Sequence, residues 1–190
     1  MKRIITLAVI LSSVAACRPR LEPPVQPLAA IIPQPEGITF PGGRMTLPRT
    51  MGTLSQGGKD GAFLPAARAI LKAFMDHLDS RGLVSSHILY EELPAVADPA
   101  GFAWFSVEPG ESERFGEEGY ALKVTGSGLI RLSSARPAGL FYGVQTLRQL
   151  LMTTPAGMPL SLPGLEIVDR PRYAWRGFML DCCRHFFPKE

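Results

Sequence analysis

The chain has 190 residues, 46% of them apolar and 19% charged, with a formal charge of +3. A globular chain of this size removes roughly 70% of its unfolded surface from water, so one ordinary domain with additions is expected. Setting aside Lys2 and Arg3, which lie in a segment expected to be removed, the 20 basic residues fall to 18 against 17 acidic ones; that balance excludes an electrostatic case for nucleic acid as partner and gives no sign of an acidic substrate.

The first segment, MKRIITLAVILSSVAAC, has a basic start and a mainly apolar stretch from Ile4 to Ala16. That stretch is short of the ~18–20 residues that span a bilayer as a helix, and it fits the core of a signal peptide over residues 1–16. Val14-Ala15-Ala16-Cys17 resembles the bacterial lipobox, which implies that Cys17 is diacylated and becomes the new N-terminus. An ordinary signal peptide followed by a chance cysteine is the alternative. Lipid chains anchor because each buried CH₂ contributes ~0.8 kcal/mol, and two or more chains make the attachment stable. By analogy with lipoprotein sorting, Arg18 in the second mature position, being other than Asp, points to the outer membrane. The expected location is therefore the periplasm or cell surface, with the membrane as partner through the lipid.

Residues 17–36 carry prolines at 19, 23, 24, 27, 33 and 35. Proline fixes φ and removes backbone donors, so this stretch is expected to stay extended and unpaired. At ~3.1 Å per residue it reaches roughly 60 Å and reads as a tether; a proline-rich recognition motif is the competing reading. From Gly37 to Leu47, two short strands flank the Pro41-Gly42-Gly43 turn. Phe63, Ala67, Ile70, Phe74 and Leu78 form one apolar stripe of a helix beginning near Leu64, with Pro65 in its first turn and Gly82 at its end.

SSHILYEEL and GFAWFSVEP then read as strands, and GYALKVTGSGLIRLSSA as a hairpin around Gly126-Ser127-Gly128. In the hairpin Tyr120, Leu122 and Val124 alternate in one strand and Ile130 and Leu132 in the other. A second helix starts at Pro137 or Ala138, with Leu140, Val144, Leu147 and Leu151 as its stripe. Glycine costs ~1 kcal/mol inside a helix, so Gly139 and Gly143, one turn apart, indicate close contact with a sheet. SLPGLEIVDRPRYAW leads into a last apolar strand. The expected fold is α+β: a mainly antiparallel sheet with two helices on one face, over residues 37–167.

Two stretches, EEGYALKVTGSGLIRLSSARPAGLFYGVQTLRQLL (117–151) and IVDRPRYAWRGFMLDCCRHFFPKE (167–190), resemble bacterial β-N-acetylhexosaminidases of glycoside hydrolase family 20. The resemblance implies a non-catalytic α+β domain ahead of a TIM-type barrel, with residues 168–190 as the link and the barrel's first strand. GFMLDCC suits such a strand. It is apolar on both alternating faces until Asp181, as a parallel strand buried on both sides should be, and polar residues gather at its C-terminal end, where barrels build their sites.

The resemblance implies that Arg176 hydrogen-bonds hydroxyls of the terminal sugar, a role suited to a planar fork that fixes two acceptors at once. A structural salt bridge is the alternative for Arg176. Asp181, Arg184 and His185 are expected to hold the strand-to-helix loop rather than touch substrate. Cys182, Cys183 and His185 are not expected to bind metal, because neighbouring strand residues point to opposite faces, and a disulfide between adjacent cysteines is strained. Trp104 and Trp175 read as core aromatics. No cofactor is expected.

Family members use substrate-assisted catalysis. The substrate's N-acetyl oxygen attacks the anomeric carbon, an Asp orients the acetamide, and the adjacent Glu protonates the leaving oxygen. The sequence holds no Asp-Glu dipeptide. Glu91-Glu92 and Glu117-Glu118 fall in the wrong domain, and a whole barrel takes ~250 residues. The expectation is an N-terminal part of a lipid-anchored hexosaminidase acting on N-acetylhexosamine-containing glycans, with no catalytic residue and no activity in this chain alone. A lipid-anchored, non-catalytic binding module is the alternative; it is disfavoured because GFML would be left as an unpaired apolar strand.

Overall fold

The structure, a computed structural model, describes residues 31–59, 61–90, 101–152, 161–179 and 181. The expected signal peptide, Cys17 and most of the expected tether lie outside the described residues, as do Cys182, Cys183, Arg184 and His185.

In chain order the elements are β1 (Gly37–Thr39), β2 (Arg44–Thr46), β3 (Thr50–Gln56), α1 (Leu64–Ser80), β4 (Ser86–Tyr90), β5 (Phe102–Val107), α2 (Ser112–Phe115), β6 (Tyr120–Val124), β7 (Leu129–Ser134), α3 (Pro137–Met152), β8 (Ser161–Pro163) and β9 (Leu165–Asp169). Seven strands form one sheet in the order β1-β9-β6-β7-β5-β3-β4, and β2 pairs with β8 in a separate two-stranded ribbon. The α+β class is as expected, but the sheet is mixed rather than mainly antiparallel. The β1–β9, β9–β6 and β6–β7 pairs are antiparallel, whereas β7–β5, β5–β3 and β3–β4 are parallel. The physical reason is β3, which precedes α1 directly. A strand, a helix and a second strand make a crossover, and a crossover returns the chain parallel.

The two long helices pack on the same face of the sheet. On α1, Ala67, Leu71, Phe74, Met75 and Leu78 are buried, and the Phe74 ring meets Phe105 of β5 with centroids 5.7 Å apart. Helix α1 closes in a Schellman arrangement. The Gly82 amide donates to the Asp79 carbonyl at 2.7 Å and the Leu83 amide to that of Leu78 at 3.0 Å, with Gly82 at φ +65°. On α3, the apolar stripe and both glycines are buried. An added Cβ on Gly139 would stand 2.1 Å from the Gly119 carbonyl oxygen, and one on Gly143 would stand 2.3 Å from a Leu132 methyl. The close contact expected from these glycines is thus present, with the chain before β6 and with β7. Met51, Phe105, Leu122, Ile130, Leu132 and Ile167 complete the core from the sheet side.

The opposite face of the sheet is more polar. Trp104 is half-buried there, with its Nε1–H donating to Gln56 Oε1 at 3.2 Å and the Arg131 guanidinium 4.1 Å above its ring. It is therefore a surface aromatic capped by a cation rather than a core residue, because its place in the β5 alternation puts it away from the helices.

Candidate functional site

Strand β9 ends at Asp169, and residues 170–179 carry no regular structure. This exit runs beside α3 and beside residues 31–36; these, expected to stay unpaired as the end of the tether, instead lie against the domain, because Ile31 is buried in its core. Three sets of contacts fasten the entry to α3 and to the exit. The Gln149 side-chain amide on α3 pairs with the Ile32 backbone in both directions: Ile32 N–H donates to Oε1 at 2.8 Å, and Nε2 donates to the Ile32 carbonyl at 3.0 Å. Asp169 Oδ1 accepts from the amides of Glu36 at 3.0 Å and Arg170 at 2.9 Å. Arg170 closes the fork on Glu36, Nε to Oε2 at 3.0 Å and Nη2 to Oε1 at 3.4 Å.

Beneath these contacts lies a buried hydroxyl pair. Tyr120 Oη and Thr146 Oγ1 are 2.6 Å apart, and Tyr120 O–H donates to Asp169 Oδ2 at 3.2 Å. Burial pushes the Tyr120 phenol well above its usual pKa, and the nearby Asp169 charge adds to the rise. A neutral, donating phenol is thereby held against a carboxylate.

Between entry, exit and α3 opens a pocket of about 610 Å³. Arg176 lines it. Its Nη2 donates to Glu118 Oε2 at 2.7 Å and to Tyr142 Oη at 3.5 Å, its Nη1 to the Tyr173 carbonyl at 2.5 Å, and its guanidinium lies 5.8 Å from the Tyr142 ring centre. The hydrogen bond to Glu118 is the chief reason its pKa is raised above the ordinary value. Tyr142 O–H in turn donates to Glu118 Oε1 at 3.3 Å. In this structure, then, Arg176 makes the ion pair that sequence reasoning set beside its sugar-binding role, and it makes it inside a pocket.

The sequence reading did not anticipate Glu118, Tyr142, Gln145 or Gln149 as pocket residues. A signal was available. Tyr142, Gln145 and Gln149 sit three and four apart, the spacing of one helix face. Trp175 is also not in the core. It is 88% exposed, as are Phe178 and Met179, and the strand expected over 177–183 is not seen in its described residues, Gly177–Met179 and Asp181. A strand needs a partner for its backbone groups, and no described strand lies beside this segment. Among the described residues there is no cluster of three or more metal-ligating side chains, and no helix is long and apolar enough to cross a membrane.

The fold, a mixed sheet carrying two long helices on one face, is that of an α+β domain, and comparison gives its kind. Residues 29–170 match glycosyl hydrolase family 20, domain 2, and the chain belongs to that family. A beta-hexosaminidase of Porphyromonas gingivalis is 43% identical over 79 residues, covering 39% of this chain and 10% of that protein. One of Akkermansia muciniphila is 46% identical over 71 residues, covering 37% and 14%. Among solved structures, a Streptomyces plicatus beta-hexosaminidase variant in complex with its product GlcNAc superposes with a TM-score of 0.65 at 30% identity, over 85% of this chain and 30% of that one. The chain thus spans a small part of the relatives it matches.

Proposed function

We propose that the chain is the N-terminal part of a lipid-anchored β-N-acetylhexosaminidase. The complete protein would release terminal β-linked N-acetylhexosamine by substrate-assisted catalysis. In this reading residues 1–16 are the lipoprotein signal peptide, Cys17 carries the lipid, residues 17–36 are the tether, its end from Ile31 to Glu36 fastened to the domain, 37–167 the α+β domain and 168–190 the start of the (β/α)₈ catalytic domain. Arg176 hydrogen-bonds sugar hydroxyls once that domain is complete. The observation that carries the reading is the domain 2 match over residues 29–170 together with relatives that are themselves beta-hexosaminidases.

Two measurements test it. Sequencing past codon 190 is expected to find an in-frame continuation with an Asp-Glu pair after a further strand; a stop codon there contradicts the reading. Expression of that longer product with Cys17→Ala is expected to move it from the membrane fraction to the soluble one. An unchanged distribution removes the lipid anchor.

A second reading, a lipid-anchored non-catalytic binding module, is favoured by one observation: a pocket lined by Tyr142, Tyr173, Glu118 and Arg176 is already formed among the described residues of this chain.

A further inference from the structure

We infer that residues 31–36 act as a strap that orders the chain leaving the domain, so that seating of the strap and fixing of residues 170–176 are one coupled event. The inference goes beyond the enzymatic reading and depends neither on a lipid at Cys17 nor on a barrel after residue 190. It concerns how the two ends of the domain hold each other.

The register of the sheet brings those ends together. Strand β1 runs antiparallel to β9 with Gly37 opposite Val168 and Ile38 opposite Ile167, so one step further Glu36 stands opposite Asp169 and Pro35 opposite Arg170. The backbone ladder cannot continue there, because proline has no N–H to donate. Side chains take it over. Asp169 Oδ1 accepts the amides of Glu36 and Arg170, one from each end, at 3.0 and 2.9 Å. The Glu36 carboxylate takes both arms of the Arg170 fork. Asp169 is itself held by the Tyr120 hydroxyl on its other oxygen. A single carboxylate therefore serves entry and exit, and neither end can rearrange without changing the partners of the other.

The strap has its own seat away from this junction. Ile31 lies in the core, Pro35 is buried, and the Ile32 backbone is bonded in both directions to Gln149 of α3. Ile32, Pro33, Gln34 and Glu36 are exposed, so the strap is a thin layer that can lift while the sheet stays whole. Strap and exit both line the pocket, and among the described residues the hydrogen bonds that join them are those of Glu36.

The exit, by contrast, has no regular structure of its own. Its order comes from side chains: Glu36 on Arg170 at one end, Glu118 and Tyr142 on Arg176 at the other. The Arg170 and Glu36 side chains are 58% and 54% exposed, and a pair so open to water contributes little by itself. It persists because the strap keeps Glu36 in place. Loss of the core seat at Ile31 is thus felt at Arg170, and by reciprocity loss of the Arg170 fork is felt at Ile32.

The experiment is amide hydrogen exchange and ¹⁵N relaxation on the labelled 190-residue chain and its single variants. Ile31→Ser removes the core seat and leaves every exit residue unchanged. The expected result is exchange at least ~10-fold faster at the Arg170 amide, with a lower heteronuclear NOE across residues 172–176, while the Leu122 and Leu132 amides of the sheet keep their parent rates. Arg170→Ala removes the fork and leaves the strap's own seat intact; it is expected to quicken exchange at the Ile32 amide at least ~3-fold. If Ile31→Ser fails to fold, or quickens Leu122 and Leu132 as well, Gln149→Ala takes its place with the same expectation at Arg170. An Arg170 amide at the parent rate in a variant whose Ile32 amide is freed, or an Ile32 amide at the parent rate in Arg170→Ala, overturns the inference.

Discussion

Replacing Gly139 by alanine tests how α3 is seated. In an exposed helix this change gains about 1 kcal/mol, because alanine loses less backbone freedom on folding. Here the new Cβ would stand 2.1 Å from the Gly119 carbonyl oxygen and 2.8 Å from Ser134 Cβ. The nearest atom is backbone, so relief requires α3 or the chain before β6 to move by roughly 1 Å to regain ordinary contact. Overpacking of this kind costs about 1–3 kcal/mol and occasionally more. With the helical gain subtracted from the upper part of that range, Gly139→Ala is expected to lose about 2 kcal/mol. In a domain of this size that lowers Tm by roughly 4–8 °C. Gly143→Ala provides the contrast. Its new Cβ would meet Leu132 Cδ1 at 2.3 Å and Tyr120 Cδ2 at 3.0 Å, and a leucine methyl can rotate away, so the net loss should be no more than about 1 kcal/mol. Thermal and urea unfolding followed by circular dichroism reads both. A Gly139→Ala protein as stable as the parent, or a Gly143→Ala protein that is the worse of the two, would refute the packing argument.

Tyr120→Phe removes the hydroxyl shared with Thr146 and Asp169 and is expected to cost about 1–2 kcal/mol in urea unfolding; no loss would mean that the buried pair contributes nothing. The same variant tests a pH effect. The folded Tyr120 pKa is raised, so its contribution is whole below pH ~10 and declines above it, by up to ~1.4 kcal/mol per unit, and that decline should be missing in Tyr120→Phe. His77 behaves in the opposite sense. Desolvation first, then Arg148 and Arg81, lower its pKa. Its contribution is therefore present above pH ~6.5 and lost as the pH falls, and His77→Gln should flatten the stability profile between pH 7 and the acid limb. Gln149→Ala breaks the two-way bond to Ile32 and should raise the exchange rate of the Ile32 amide at least ~10-fold while costing no more than about 1 kcal/mol of global stability.

Much of the helix face of the fold was legible in the sequence because local periodicity decides it. The α1 and α3 stripes, the β6–β7 hairpin and the two helix glycines all follow from residues within a turn or a hairpin of each other. Strand β3 was not legible. Thr50–Gln56 reads TMGTLSQ, with one glycine and four polar residues, yet Met51, Thr53, Leu54 and Ser55 are buried because the strand lies between β4 and β5. Without β3 the crossover through α1 is invisible, and with it goes the parallel half of the sheet. Trp175 failed for a related reason. Apolar character marks a residue that gains from burial, but burial depends on a surface to pack against, and nothing local supplies one for the exit. The pocket was legible only in part. Arg176 stood out through resemblance, whereas Glu118 reaches it from 58 residues away, a separation over which sequence pattern carries no contact information.

Hydrolysis of 4-nitrophenyl N-acetyl-β-D-glucosaminide, measured side by side for the purified 190-residue chain and for the longer in-frame product proposed above, tests the central claim most directly. The account predicts turnover by a longer product and none above buffer by this chain, because its 190 residues hold no Asp-Glu dipeptide. Release of nitrophenol by the chain alone, abolished by no contaminant control, would contradict the proposal that this chain carries no catalytic residue.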